Sequence, residues 1–202
     1  MYHWTLALWF LLITATSETR YTPYVVQEFG TDEAMIKAEH LERYVVKPTL
    51  DRMAEFDQRL NTDVSVTLML GTAAQETLMG FYLHQFGGGP GKGIYSIEPE
   101  THLDIVGRYL QRPENAKLLK IVEGFVSRGA KLGDNDELIH NLRYATAIAR
   151  IKYWTRPEKL PTDATDIAAL GKYWDVHYNA NDRVGFPSEF VGNYDKYVRK
   201  QR

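Results

Sequence analysis

The chain has 202 residues, of which 44% are hydrophobic, 25% charged and 12% aromatic, and these proportions exclude disordered, collagen-like and low-complexity classes. The net charge of -2 provides no basic excess to neutralise phosphates, so no nucleic-acid partner is expected. Cysteine is absent, which excludes disulfide scaffolds, thiol catalysis and cysteine-ligated zinc.

Residues 1–30 are predicted to form a separate N-terminal segment, which contains an apolar, aromatic run over residues 6–13. Small residues follow the run, as in a secretory signal, but no lysine or arginine precedes it. The run is shorter than the about 20 apolar residues of a membrane span, so no transmembrane span is expected. Three interpretations stay open: an export signal, a buried N-terminal helix, and an apolar segment that docks onto a partner.

Residues 31–202 carry helical periodicity and predict a single, mostly α-helical domain. Apolar residues three and four apart predict a helix from Met35 to Leu60, with a kink or restart at Pro48. Capping residues at 61–63 are expected to open a central buried helix from Val64 to about Phe86.

Glycine-rich residues 87–93 end that helix, and residues 94–97 predict a short extended segment. The glycine run does not have the order of a phosphate-binding loop. The remaining helices are predicted from their capping residues and prolines: Pro99 to about Gln111, a short helix after Pro113, a helix opened by residues 134–137 that runs to about Trp154, one capped by Thr162 or Asp163 that runs to about Tyr178, and a last one from Ser188.

Glu76 is the candidate catalytic residue, because it lies among leucine, methionine and alanine residues of the central helix. A carboxyl group in apolar surroundings holds its proton more readily near neutral pH, as a general acid for glycosidic cleavage must. The alternative is a carboxylate that is exposed or paired with a basic residue. Residues 173–181 add aromatic and amide side chains suited to binding sugars, or else to packing in the core. The six histidines form no metal-binding motif, so neither a metal nor a cofactor is expected.

Three blocks of the chain, taken in order, resemble the lytic transglycosylase, or goose-type lysozyme-like, superfamily. The blocks are Ala74-Gln75-Glu76-Thr77, Gly93-Ile94-Tyr95-Ser96-Ile97 and His177-Tyr178-Asn179-Ala180-Asn181. Residues 186–198 are similar to the closing helix of the family, so the resemblance covers about residues 63–198. The glycine-rich turn and the residues that follow it are also similar to small proteins of tailed bacteriophages with lysozyme-like domains.

The resemblance implies a lysozyme-like helical fold with at most a small β-hairpin, and Glu76 as the single catalytic acid. Three positions depart from the family pattern, where Ser96 replaces Gln, Thr77 replaces Ser and Asn181 replaces Gly. Substrate contacts are implied for Thr77, Ser96, Tyr178 and Asn179. Simple hydrolysis would need a second carboxylate, for which the candidates are Glu98, Glu100 and Asp104.

The function implied by the resemblance is cleavage of the bond between N-acetylmuramic acid and N-acetylglucosamine in peptidoglycan. In the family mechanism, one glutamic acid protonates the leaving oxygen and then accepts the proton of the sugar C6 hydroxyl, which closes a 1,6-anhydro ring. The expected partners are glycan strands and, through the N-terminal segment, other virion proteins, with a location on a phage particle or in the bacterial periplasm or cell wall. The alternative is a weakly active or non-catalytic lysozyme-like structural or docking component of a virion.

Overall fold

The computed structural model of the chain describes residues 36–85, 88–179 and 185–201, and these ranges contain helices and turns but no β-strand. The prediction of a mostly α-helical protein is therefore confirmed. The interpretations of residues 1–30, and the predictions for Met35, Phe86 and Asn181, lie outside the described residues. The α-helices are α1 (Ala38–Leu41), α2 (Lys47–Ala54), α3 (Asp63–Thr77), α4 (Pro99–Asp104), α5 (Ala116–Glu123), α6 (Glu137–His140), α7 (Leu142–Trp154), α8 (Ile167–His177) and α9 (Pro187–Tyr197).

The irregularity predicted at Pro48 takes the form of a π-helical turn, Glu42–Val46, which joins α1 directly to α2. A proline inside a helix lacks one N–H donor, and its ring collides with the carbonyl group four residues earlier. The wider π-helical turn accommodates this ring at the second position of α2. The chain therefore stays helical through Pro48, and α2 buries Leu50 and Met53 completely.

Helix α3 is the central element of the core, because nearly every one of its side chains is buried. It begins with a capping box, as the sequence predicts: the Thr62 hydroxyl accepts the Ser65 N–H at 3.1 Å, and the Ser65 hydroxyl accepts the Thr62 N–H at 2.8 Å. Helices α9, α8 and α7 pack around it. The close approach of α9 depends on Gly71, where a Cβ atom would lie 2.2 Å from Phe190 Cζ.

The prediction that the central helix continues to Phe86 is wrong, because α3 ends at Thr77. Leu78 and Met79 adopt left-handed backbone conformations with φ values of 53° and 61°. The Met79 N–H donates to the Ala73 carbonyl at 3.0 Å, and the Met79 carbonyl accepts the Ile36 N–H at 3.2 Å. Full burial of the Met79 side chain supplies the free energy that offsets this unfavourable backbone conformation.

Residues 93–96 form a tight turn, so the prediction of an extended segment over residues 94–97 is wrong except at Ile97, which forms a bridge. The Ser96 N–H donates to the Gly93 carbonyl at 2.9 Å, and Lys92 forms isolated antiparallel bridges with His84 and Ile97. Gly93 is required here, because a Cβ atom would lie 1.7 Å from the Leu138 carbonyl oxygen. The small hairpin that the resemblance allows is thus limited to isolated bridges in the described residues.

Two helix boundaries in the second half of the chain differ from the predicted ones. The single helix expected from residues 134–137 to Trp154 is interrupted at Asn141, whose side chain caps α7 by accepting the Tyr144 N–H at 3.1 Å. Helix α8 is capped by Asp166, which accepts the Ala169 N–H at 2.9 Å, and not by Thr162 or Asp163. Asp163 instead stabilises the preceding turn through the N–H and hydroxyl of Thr165.

The helix predicted to run to Leu60 ends six residues earlier, at Ala54, and a separate 3-10 turn, Gln58–Leu60, follows. The other helix predictions hold within about two residues. Helix α4 continues as a π-helical turn, Ile105–Tyr109, and α5 follows Pro113 after one 3-10 turn. The last helix begins at Pro187, one residue before the predicted start. No helix within the three described ranges is both long enough and apolar enough to cross a membrane.

Candidate functional site

Glu76 is the penultimate residue of α3, and its side chain is only partly buried. The indole Nε1–H of Trp174, on α8, donates a hydrogen bond of 2.8 Å to Glu76 Oε1. Trp174 is 1% exposed, so its ring is fixed by packing. A hydrogen bond from a fixed donor to a carboxylate is a strong one and holds the Glu76 side chain in one orientation.

Two buried tyrosines lie within electrostatic reach of Glu76. The ring centroids of Tyr153 and Tyr178 are 4.9 Å apart. Burial raises the pKa of both phenols well above its usual range, and the negative charge of Glu76 raises the pKa of each further. Both hydroxyls therefore remain neutral.

The hydroxyls of these tyrosines are occupied by contacts within the protein. Tyr178 donates its hydroxyl hydrogen to the Tyr95 carbonyl at 2.8 Å, and the Tyr153 hydroxyl is 2.8 Å from the Thr72 hydroxyl. Lys152 places its ammonium group 3.6 Å from the centroid of the Tyr178 ring. This cation–π contact brings a positive charge to the edge of the aromatic cluster.

A second carboxylate, which the sequence reasoning missed, lies near Trp174. A Cβ atom on Gly185 would be 3.1 Å from both Gln75 Nε2 and Trp174 Cη2, and 3.2 Å from Glu189 Oε2. The carboxylate of Glu189 therefore lies beside the tryptophan that holds Glu76. Asn193, one turn further along α9, donates to Gln75 Oε1 at 2.8 Å.

Of the candidates for substrate contact from the first two motifs, Thr77 is the last residue of α3 and Ser96 lies in the tight turn at residues 93–96. Thr77 is 3% exposed; its hydroxyl donates to the Ile94 carbonyl at 2.8 Å and accepts the Gly80 N–H at 3.0 Å. These two bonds fix the end of α3 to residue 94 and to the turn that follows the helix, so the Thr77 hydroxyl has a structural role. Ser96 is partly buried and has a left-handed backbone conformation, with φ of 48°.

The candidates from the third motif follow α8. Tyr178 is 6% exposed, and its bond to the Tyr95 carbonyl joins this motif to the turn that contains Ser96. Asn179 is partly buried, and its amide nitrogen is 3.4 Å from a carboxylate oxygen of Asp175. The structure thus joins the second and third motifs through backbone and phenol groups.

The acids predicted as a second carboxylate lie at and beyond the start of α4. Glu98 is the partly buried residue that precedes α4, whereas Glu100 and Asp104 are exposed on the helix. Asp104 forms a surface ion pair of 3.0 Å with Arg108. Glu100 and Asp104 therefore lie on the outside of the helix, and Glu189, which also accepts the Phe186 N–H at 3.1 Å, is a further candidate.

His102, four residues after Glu98, belongs to a separate buried network. Its Nδ1 is 2.8 Å from Asn135 Oδ1, and its Nε2 is 2.7 Å from the Tyr144 hydroxyl. Burial lowers the pKa of His102, because the charged imidazole would lose its hydration. Across the described ranges, no three or more histidine, aspartate or glutamate side chains are grouped so that they could hold a metal ion.

Comparison of the chain with known protein families, with curated proteins and with solved structures returns no match. The geometry around Glu76 and the resemblance of the three motifs are therefore what bears on the function of the chain.

Proposed function

We propose that the chain cleaves glycosidic bonds of peptidoglycan, with Glu76 as the general acid of a lysozyme-like domain. One observation carries this proposal: a partly buried carboxyl group at the end of a buried helix, held at 2.8 Å by a tryptophan with almost no exposure. Orientation by a fixed donor is what a proton-donating glutamic acid requires.

In the proposed mechanism, protonated Glu76 donates its proton to the leaving glycosidic oxygen between N-acetylmuramic acid and N-acetylglucosamine. The Trp174 N–H then stabilises the carboxylate that forms, since a hydrogen bond to a charged acceptor is stronger than one to a neutral acceptor. The Glu76 carboxylate removes the proton of the sugar C6 hydroxyl, whose oxygen bonds to C1 and closes the 1,6-anhydro ring. Hydrolysis would instead use a second carboxylate to activate water, for which Glu189 is the first candidate.

The proposal also names a substrate, a location and a partner for the protein. The substrate is the glycan strand, and the location is a phage particle or the bacterial periplasm and cell wall. The N-terminal segment of residues 1–30 would attach the domain to other virion proteins. These assignments are supported by the resemblance to lysozyme-like proteins of tailed bacteriophages.

A second candidate function is a lysozyme-like structural or docking component of a virion with little or no activity. The observation that favours it is the state of two residues implied in sugar contact: Thr77 and Tyr178 are 3% and 6% exposed, and both hydroxyls are bonded to backbone groups. A substrate could reach them only after these bonds are broken.

A cleavage assay on purified cell walls separates the two candidates. The native chain is compared with Glu76→Gln, which keeps the shape but cannot transfer a proton, and with Trp174→Phe, which removes only the indole donor. We expect Glu76→Gln to lower the rate by about 10²- to 10⁴-fold and Trp174→Phe by about tenfold.

The matched control is Glu114→Gln, an exposed acid before α5, which should cleave at the native rate. Equal cleavage by native protein and Glu76→Gln would contradict the assignment of Glu76. No cleavage by the native chain, where a control lysozyme acts, would favour the structural function.

A further inference from the structure

The residue that precedes α9 has an exposed aromatic side chain that the proposed mechanism does not use. Phe186 is 67% exposed, the largest exposed fraction among the large hydrophobic residues that the structure describes. Burial of a phenyl ring stabilises a fold, so this ring contributes little to the stability of the chain. Single exposed hydrophobic residues are common, and the position of Phe186 therefore decides whether its exposure has a function.

Phe186 occupies the N-cap position of α9, where a side chain with a hydrogen-bond acceptor would add stability. The phenyl ring has no acceptor, and the side-chain bond at this cap comes instead from Glu189, whose carboxylate accepts the Phe186 N–H at 3.1 Å. The residue thus departs twice from what favours the fold, because it lacks a capping group and exposes an apolar ring. Departures of this kind concentrate at functional positions.

The backbone holds Phe186 in one conformation. A proline restricts the residue before it to extended conformations, and Phe186, before Pro187, has φ of -125° and ψ of 153°. Its carbonyl oxygen accepts the Glu189 N–H at 2.9 Å. A ring with two rotatable bonds on a fixed backbone loses little conformational entropy when a ligand binds, so Phe186 is suited to contact one.

Gly185 places Phe186 beside the candidate active site. Gly185 has φ of 104°, and a Cβ atom on it would lie 3.1 Å from Trp174 Cη2, so the chain passes against the edge of the indole. The N–H of the same indole donates to Glu76 at 2.8 Å. Consecutive Cα atoms are about 3.8 Å apart, so Phe186 starts one residue from the tryptophan that orients Glu76.

We infer that Phe186 is a sugar-binding residue, on whose ring a sugar of the glycan strand stacks beside the bond that is cleaved. This assignment rests on the proposed function, because the glycan strand is the ligand that the chemistry of Glu76 requires. One face of a pyranose ring carries C–H groups that pack on an aromatic ring, and this contact needs no charged partner. The exposed phenyl ring at the N-cap gains in such a complex the apolar contact that it lacks in the free protein.

Titration calorimetry with soluble glycan strands, released from peptidoglycan by an amidase, tests the assignment on the full chain. Each change at Phe186 is made in Glu76→Gln, so that the strands remain intact, and Glu76→Gln is the parent for comparison. We expect Phe186→Ala to weaken binding about tenfold, Phe186→Leu to weaken it about as much because leucine is apolar but not aromatic, and Phe186→Trp to bind at least as tightly as the parent.

The matched control is Tyr44→Ala, made in the same parent. Tyr44 is an aromatic residue that is 57% exposed, lies in the π-helical turn, and has its ring centroid 5.8 Å from that of His40. Its removal should leave the affinity for the strands unchanged. Thermal unfolding of each variant, at the same midpoint as the parent, shows that a loss of affinity does not come from a loss of folding.

Four results would overturn the assignment: no binding of the strands by the parent, parental affinity in Phe186→Ala, parental affinity in Phe186→Leu, and an equal loss of affinity in Tyr44→Ala. Failure of this assignment is distinct from failure of the proposed function. Cleavage that depends on Glu76, together with parental affinity in Phe186→Ala, would reject only the role of Phe186. Binding that depends on Phe186 in a native chain that does not cleave would reject only the catalytic role of Glu76.

Discussion

The two ends of α3 differ in how their polar groups are satisfied. At the C-terminal end, the Thr77 hydroxyl bonds to Ile94 and Gly80, and Glu76 accepts the Trp174 N–H. At the N-terminal end, the Thr67 hydroxyl and the Asp63 carboxylate have no partner in the described residues. One helix thus has a C-terminal end whose polar groups are held by internal bonds and an N-terminal end where Asp63 and Thr67 line a cleft.

This difference shows which role each end can perform. A catalytic carboxyl group must be held in one orientation, and internal bonds at the C-terminal end do this without a ligand. The polar side chains at the N-terminal end have no partner in the described residues, so their removal should change stability little. Substitutions in α3 and in the helices that pack against it test this difference.

The largest expected effect on stability is at Phe190, the α9 residue that packs against both α3 and Trp174. Phe190 is fully buried, packs over Gly71 and has its ring centroid 5.7 Å from that of Trp174. We expect Phe190→Ala to lower the free energy of unfolding by about 3–5 kcal/mol, measured by urea denaturation, because it removes buried apolar contacts and leaves a cavity. Phe186→Ala, at a side chain that is 67% exposed, should change it by less than about 0.5 kcal/mol.

A decrease in the free energy of unfolding for Phe190→Ala as small as that for Phe186→Ala would mean that the packing of α9 on α3 contributes little to stability. In that case the positions of Gln75, Trp174 and Glu189 would need another explanation.

Thr77→Val is expected to have the next largest effect. The substitution keeps the shape of the side chain but leaves the Ile94 carbonyl and the Gly80 N–H without their partner. The free energy of unfolding should fall by about 1–3 kcal/mol, measured by the same denaturation experiment. A change near zero would indicate that the turn after α3 does not depend on this hydroxyl, which would return Thr77 to the set of residues free to contact a substrate.

Local sequence patterns predict the parts of the fold that local interactions determine. The capping residues at 61–63 predict the start of α3, where Thr62 and Ser65 form the capping box. Proline and polar residues likewise locate the start of α9 within one residue. These signals succeed because the bonds that form are between residues three or four apart.

The remaining features depend on contacts that no local pattern contains. The end of α3 is determined by the burial of Met79 and by its bond to Ile36, and apolar residues 78–83 otherwise continue the helical pattern. Trp174 and Glu76 are 98 residues apart in the chain, so the hydrogen bond that orients the carboxylate has no sequence signal. Glu189 was missed for the same reason, since its position near Trp174 depends on the packing of α9.

A pH experiment extends the comparison to a buried group outside α3. Burial lowers the pKa of His102 in the folded chain below its value of about 6.5 in the unfolded chain. The unfolded chain therefore binds more protons, so stability should fall as the pH drops below about 6.5, by at most about 1.4 kcal/mol per pH unit from this one group.

Thermal unfolding of the native chain and of His102→Gln between pH 8 and pH 5 measures the effect. The difference in stability between them should decrease toward low pH, because the variant has no imidazole to protonate. A difference that is constant over this range would show that His102 titrates alike in the folded and unfolded chains.

Thr67→Val is expected to have the smallest effect on stability. Because the Thr67 hydroxyl has no partner in the described residues, its removal should change the free energy of unfolding by less than about 0.5 kcal/mol. Measured beside Thr77→Val, this is the same substitution at the two ends of one helix. If Thr67→Val lowered the free energy of unfolding as much as Thr77→Val, the claim that only the C-terminal end of α3 depends on its side-chain hydrogen bonds would be contradicted.

Mass spectrometry of peptidoglycan digested by the native chain and by Glu76→Gln tests the central claim most directly. The account predicts muropeptides with 1,6-anhydro ends, one water lighter than hydrolytic ends, from the native chain and almost none from the variant. Reducing ends would show that a second carboxylate activates water, and Glu189→Gln would then be tested before Glu98, Glu100 and Asp104. The same products in equal amounts from the native chain and from Glu76→Gln would contradict the claim that Glu76 is the catalytic acid.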